Sequence, residues 1–92
     1  MTNNERYTMR IADEFIEDLA KIYSVRLLNH IRMILEMLEV GPEIGSSFVR
    51  TSLTKRFGLG IRKIPVSTFV IVYRFDGTTI DVLALVYGPS IT

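Results

Sequence analysis

The sequence predicts an α+β fold in which an N-terminal strand and an α-helical hairpin precede a C-terminal three-stranded antiparallel sheet. Three observations predict this β-α-α-β-β-β order. Apolar residues recur at helical spacing in two stretches before Gly41-Pro42, strand-like apolar runs follow residue 60, and Asp76-Gly77 separates two of these runs. A chain of 92 residues has room for a single domain with one shared core, and we expect residues 1–5 to be disordered.

The N-terminal half of the chain changes from a strand period to a helical period. Alternation over residues 7–11 predicts a short first strand. Apolar positions then recur at helical spacing over residues 15–23, behind acidic side chains that the helix dipole favours. A second apolar stripe over residues 27–38 predicts another helix, with Ser24 as a possible cap and Gly41-Pro42 as its end. The short connection predicts an antiparallel hairpin, with a single bent helix as the alternative.

The C-terminal half predicts a connection and three strands. Residues 43–60 are rich in Gly, Ser and Thr, which indicates an exposed connection in which one short helical turn can form. Strand patterns follow at residues 61–66, 69–75 and 79–87. Pro65 cannot donate a hydrogen bond to a neighbouring strand, so the first of these strands is expected to run at an edge of the sheet or to leave the ladder at this residue.

A two-residue turn at Asp76-Gly77 would fix which side chains share a face of the sheet. Arg74 would then lie diagonal to Asp81, and a cross-strand ion pair alone could explain this arginine. Arg74 and Tyr87 would share the side away from the helices, near opposite ends of the hairpin. The helices would cover the other face, which collects Phe69, Ile71, Tyr73, Ile80, Val82, Ala84 and Val86.

The charges of the chain are unevenly distributed. Residues 1–43 hold 5 basic and 8 acidic groups, whereas residues 44–92 hold 6 basic and 2 acidic groups. The six cations of the second half precede its first carboxylate, which predicts a cationic surface for a nucleic-acid backbone or an acidic protein segment. They are Arg50, Lys55, Arg56, Arg62, Lys63 and Arg74.

The composition excludes several classes of site and of protein. The chain has no cysteine, so it has neither disulfides nor thiolate metal ligands, and His30 is its single histidine. We therefore expect no metal and no cofactor. The polar residues 1–6 and the lack of an apolar run of about 18 residues predict a cytoplasmic protein without a membrane partner.

The strand sequences carry a resemblance to a known family. Arg-Lys-Ile-Pro-Val at residues 62–66, Phe-Val-Ile-Val-Tyr-Arg at residues 69–74 and the apolar series at residues 80–88 follow a helical pair. In this order and spacing, from Tyr7 to Gly88, the chain resembles the RelE/ParE superfamily of type II toxin–antitoxin and plasmid-stabilisation toxins. The resemblance implies an open sheet backed by two helices, with a basic concave face.

The superfamily implies two modes of growth inhibition. RelE-like members cut messenger RNA in the ribosomal A site without a metal, whereas ParE-like members bind and inhibit DNA gyrase without catalysis. If the chain is RelE-like, the resemblance implies that Arg62, Arg74 and Tyr87 are catalytic. Either target would also meet four further cations, which are Arg50, Lys55, Arg56 and Lys63.

Two departures from RelE-like sequences favour the ParE-like mode. Val70 stands where RelE-like toxins commonly have an arginine, and the ending Tyr87-Gly88-Pro89-Ser90 lacks their basic residues. The prediction is therefore a gyrase-binding toxin, with an mRNA endoribonuclease and an inactive homologue that only binds its antitoxin as alternatives. The resemblance also implies a cognate antitoxin encoded nearby, for which we predict a groove lined by Leu83 and Leu85.

Overall fold

A computed structural model describes residues 6–91 of the chain, so the expectation for residues 1–5 lies outside the described residues. The predicted order of elements is confirmed, with one additional short helix before the second strand. The elements are β1 (Thr8–Ile11), α1 (Asp13–Leu19), α2 (Val25–Val40), α3 (Thr51–Phe57), β2 (Ile61–Val66), β3 (Phe69–Phe75), β4 (Thr79–Tyr87) and a 3-10 turn (Gly88–Ser90).

The four strands form one mixed sheet in the order β1-β4-β3-β2. The three C-terminal strands are antiparallel, as predicted, and β1 adds to them parallel to β4. Strand β2 is an edge strand, as Pro65 indicated, and its outer side makes a single bridge to Ser46. No helix within residues 6–91 is long and apolar enough to cross a membrane.

The two N-terminal helices pack on one face of the sheet. Helix α1 ends at Leu19, earlier than the apolar spacing predicts, and Tyr23 is 91% exposed rather than part of the buried stripe. Ser24 caps α2 as predicted, because its hydroxyl accepts a hydrogen bond from the amide of Leu27 at 3.1 Å. Gly41 follows the last helical residue.

Buried side chains form two clusters, one on each face of the sheet. We call the face under α1 and α2 the helix side, and the face under α3 the α3 side. The helix-side cluster contains Phe15, Ile31, Ile34, Leu38, Val66, Ile71, Tyr73, Ile80, Val82 and Leu85. The α3-side cluster contains Leu53, Ile61, Val72, Ala84 and Val86.

The β3–β4 hairpin forms where it was predicted, but its register differs. Phe75 pairs with Ile80, two residues beyond the predicted partner. The reason is the side chain of Asp76, whose carboxylate accepts hydrogen bonds from the amides of Thr78 and Thr79 at 2.9 and 2.8 Å. These bonds stabilise a longer loop than a two-residue turn.

A β-bulge in β4 reverses the predicted faces of the strand end. Val72 pairs with Ala84 and Tyr73 pairs with Val82, so Leu83 is an extra residue on β4. Because side chains alternate along a strand, one extra residue moves every later side chain to the other face. The predicted face assignment is therefore wrong for Ala84, Leu85, Val86 and Tyr87.

Candidate functional site

Arg62 lies on β2 and points to the helix side, because its register partner Tyr73 belongs to the helix-side cluster. Its Nη1 donates to the carbonyl oxygens of Gly45 at 2.7 Å and Glu43 at 3.2 Å. Its Nη2 lies 3.8 Å from a carboxylate oxygen of Glu43. The guanidinium therefore holds the backbone that leads from α2 to α3.

Arg74 lies on β3 and points to the opposite, α3 side of the sheet. Its Nη2 donates to the carbonyl of Phe57, the last residue of α3, and its Nε donates to the carbonyl of Leu59 at 3.3 Å. The ion pair with Asp81, the alternative explanation for this arginine, is not formed, although the two residues are direct register partners. Instead, the Asp81 carboxylate accepts two hydrogen bonds from Arg10 of β1, at 2.7 and 3.1 Å.

Tyr87 lies at the far end of the hairpin from Arg74. It pairs with Phe69, and the two rings make an edge-to-face contact with centroids 5.7 Å apart. This pairing places Tyr87 on the helix side, so the predicted side shared with Arg74 is wrong, and the bulge at Leu83 is the reason. Tyr87 is half-exposed and faces solvent at the strand end.

The three candidate catalytic residues are therefore not brought together. Arg62 and Arg74 are near neighbours on β2 and β3 but lie on opposite faces, and each donates to backbone carbonyls of the chain itself. Tyr87 is at the other end of the sheet. No single phosphate could contact all three side chains in this arrangement.

The four predicted binding cations divide into one paired and three unpaired residues. Arg56 forms an ion pair with Glu14 of α1, and its guanidinium lies 4.7 Å from the centroid of the Phe57 ring. Within residues 6–91, Arg50, Lys55 and Lys63 have no carboxylate partner. These three cations are free to meet an anionic partner.

Two highly exposed apolar side chains accompany the unpaired cations. Phe48 is 88% exposed before α3, and Leu59 is 83% exposed after it. We call residues 42–60 the α3 segment; it carries both apolar side chains and two of the unpaired cations, Arg50 and Lys55. Phe48 and Leu59 were not among the predicted site residues, although large apolar residues isolated in a Gly- and Ser-rich stretch indicate an exposed contact.

A buried hydroxyl fixes the start of the α3 segment. Tyr73 is fully buried, and its hydroxyl donates to the carbonyl of Pro42 at 2.7 Å and accepts from the amide of Gly45 at 2.9 Å. Burial raises the pKa of the Tyr73 phenol, because it disfavours the phenolate. A Cβ on Gly45 would lie 2.5 Å from the Tyr73 oxygen, so this close approach requires glycine.

The predicted groove residues Leu83 and Leu85 belong to different clusters. Leu83 packs beside the α3-side cluster, whereas Leu85 is buried in the helix-side cluster. Leu85 lies under a cleft of about 310 Å³ at the edge of β4 beyond the end of β1. There the Asp18 carboxylate accepts a hydrogen bond from the Leu85 amide at 3.1 Å, so α1 covers part of this open edge.

Comparison with known proteins gives a family and a fold. Residues 9–88 match the family model described as the ParE toxin of the type II toxin–antitoxin system parDE. The chain is also similar to a chain in the crystal structure of the toxin–antitoxin complex RelBE2 from Mycobacterium tuberculosis. That match has a TM-score of 0.68 and 22% identity, and covers 89% of this chain and 98% of the other.

No curated protein sequence matches the chain. The structural likeness, at 22% identity, concerns the fold: a sheet backed by two helices. The family match spans nearly all of the described residues, from β1 to the end of β4. The chain therefore belongs to the ParE toxin family of type II toxin–antitoxin systems.

Proposed function

We propose that this toxin inhibits growth by binding DNA gyrase through the α3 segment, without cleaving RNA. The single observation that carries the proposal is the separation of Arg62, Arg74 and Tyr87 on two faces and at two ends of the sheet. The exposed side chains of the α3 segment support it as the contact surface.

RNA cleavage by attack of a 2′-hydroxyl would require several groups to meet one phosphate. A proton acceptor and cationic donors must lie within about 3 Å of the reacting oxygens. Here the Arg62 and Arg74 guanidiniums donate to carbonyls of their own chain. Val70, where RelE-like toxins commonly have an arginine, adds no charge to β3. This arrangement favours binding over catalysis.

The α3 segment has the chemistry of a protein-binding surface. Protein interfaces combine exposed aromatic or aliphatic anchors with surrounding polar contacts. Phe48 and Leu59 are such anchors, and Arg50, Lys55 and the neighbouring Lys63 provide positive charge for an acidic partner surface. Of the predicted binding residues, Arg56 contributes least, because Glu14 already pairs with it.

A cognate antitoxin is the second proposed partner. The chain similar in fold comes from a toxin–antitoxin complex, and the family belongs to type II toxin–antitoxin systems. We expect the antitoxin to be encoded nearby and to contact the β4 edge, where Leu85 underlies the cleft and Leu83 is partly buried. The proposal places the complex in the cytoplasm.

The test is induction of the chain in a bacterial host, with a supercoiling assay on purified gyrase and primer extension on messenger RNA. We expect inhibited supercoiling and intact messenger RNA. Cleaved messenger RNA with unaffected gyrase would establish the ribosome-dependent endoribonuclease instead, and no growth effect would indicate a homologue that only binds its antitoxin.

Matched variants locate the contact surface. Phe48→Ala and Arg50→Glu should each weaken gyrase inhibition about tenfold or more, on the scale of interface anchors. Their controls are Tyr23→Ala, which removes an aromatic ring that is 91% exposed, and Arg26→Glu, which reverses an exposed cation on α2. Equal losses in variants and controls would contradict the assigned surface.

A further inference from the structure

We infer that Arg62 and Arg74 are positioning residues, which do not contact the target and serve its binding by fixing the α3 segment on the sheet. This inference rests on the proposed function, because the α3 segment carries the proposed contact side chains. It assigns to the two strand arginines a role different from direct contact with a phosphate or a partner.

The first anchor is at the start of the segment. Arg62 donates to the carbonyls of Glu43 and Gly45, and the Tyr73 hydroxyl bonds to Pro42 and to the Gly45 amide. These four hydrogen bonds fix the backbone of Pro42, Glu43 and Gly45. Immediately afterwards, Ser46 exchanges two backbone hydrogen bonds with Lys63 of β2, both at 2.9 Å. The segment is thus laid against the sheet before α3 begins.

The second anchor is at the end of the segment. Arg74 donates to the carbonyl of Phe57, where α3 ends, and to that of Leu59 in the following turn. A Cβ on Gly58 would lie 3.0 Å from the Arg74 Nη2, so the guanidinium packs closely under this backbone. The final carbonyls of a helix lack partners within the helix, and the arginine supplies one.

The helix between the anchors needs both of them. Helix α3 has seven residues, and a helix of this length is not stable in water without tertiary contacts. Leu53 is its one buried side chain in the α3-side cluster. Val49 before α3 and Phe57 at its end are only partly buried against the same cluster. With so few apolar contacts, the two arginines contribute to where Phe48, Arg50 and Leu59 are presented.

The discriminating substitution is Arg62→Lys. Lysine keeps the positive charge but has a single nitrogen, so it cannot keep both the bonds of Nη1 to the two carbonyls and the contact of Nη2 with the Glu43 carboxylate. Arg26→Lys is the matched control, because the Arg26 side chain is exposed on α2, outside the proposed contact surface, and has no carboxylate partner among residues 6–91. If positive charge alone served the target, both variants would retain inhibition.

Hydrogen exchange on the free toxin is the first readout and does not depend on the target. We expect Arg62→Lys to lower protection of the amides of residues 46–57 about tenfold or more, with the protection of β3 and β4 unchanged. Gyrase inhibition should fall in parallel, while Arg26→Lys keeps both properties. Arg74→Lys should lower protection from residue 54 onward, and it replaces Arg62→Lys if that variant does not fold.

Two results would overturn the inference. Unchanged protection with lost inhibition would mean that Arg62 contacts the target directly. Lost protection with unchanged inhibition would mean that the placement of the α3 segment does not matter to the target. If wild-type toxin arrests growth but spares gyrase, the proposed function fails, and the same variants are then scored by growth arrest together with hydrogen exchange.

Discussion

Tyr73→Phe should be among the most destabilising conservative substitutions in this fold. The substitution removes one oxygen from a fully buried ring and leaves the Pro42 carbonyl and the Gly45 amide without their partner. Both residues are themselves buried. Leaving a buried polar group unpaired costs about 1–3 kcal/mol, so we expect a loss of about 2–4 kcal/mol in the free energy of unfolding.

Urea denaturation and thermal unfolding measure this loss directly. For a domain of this size about 1 kcal/mol corresponds to roughly 4–8 °C in Tm, so Tm should fall by roughly 8–32 °C. Tyr23→Phe is the control, because Tyr23 is 91% exposed, and surface substitutions usually stay within about 0.5 kcal/mol. A Tyr73→Phe variant as stable as this control would refute the reasoning.

The same residue predicts a dependence on alkaline pH. Burial raises the pKa of the Tyr73 phenol above its ordinary value of 10.0. The unfolded chain therefore loses this proton first, and the stabilisation present below about pH 10 is lost as the pH rises through the folded-state pKa. The difference in stability between wild type and Tyr73→Phe should narrow above pH 10; a constant difference would contradict this.

Three further substitutions test other parts of the fold. Leu53→Ala should cost about 2–5 kcal/mol in urea denaturation, since it truncates the buried contact of α3. Asp76→Ala should be destabilising at neutral pH, because it removes the carboxylate that accepts hydrogen bonds from the amides of Thr79 and Thr78. These bonds also lower the pKa of the Asp76 carboxyl below 3.8. The difference from wild type should therefore disappear as acid denaturation passes through that lowered pKa. Asp18→Asn should stay closer to wild type than Asp18→Ala in thermal unfolding, because the amide oxygen can still accept from Leu85.

The sequence predicted those elements whose signals are local. The bounds of β2, β3 and β4 follow from apolar runs between residues that interrupt strands, and the Ser24 cap follows from one hydroxyl near a helix start. The mixed sheet could not be predicted from local signals, because the pairing of β1 with β4 joins distant parts of the chain. That pairing also brings Arg10 to Asp81, which is why Arg74 is left for another role.

The misassigned faces have a physical cause in the composition of β4. Residues 82–86 are all apolar, and both faces of the sheet are covered there, one by α1 and α2 and the other by α3. Alternation between apolar and polar residues is therefore missing in the very stretch where the bulge at Leu83 occurs. In such a strand a bulge moves apolar side chains from one covered face to the other and exposes none of them. The sequence pattern therefore carries no sign of the bulge. The prediction that Tyr87 shares a face with Arg74 assumed regular alternation along β4, and it is wrong for this reason.

The cations of residues 44–92 show how one side chain can both hold the backbone in place and keep its positive charge. Of these six cations, Arg56 and Arg62 have carboxylate neighbours in Glu14 and Glu43, which leaves four without one among residues 6–91. Arg74 is one of these four, although its donors are used by carbonyls. A hydrogen bond to a neutral carbonyl orients a guanidinium without removing its charge, so Arg74 still contributes to the positive field that attracts an acidic partner. The positive potential that the sequence predicts can therefore persist even where the arginines that create it touch only their own backbone.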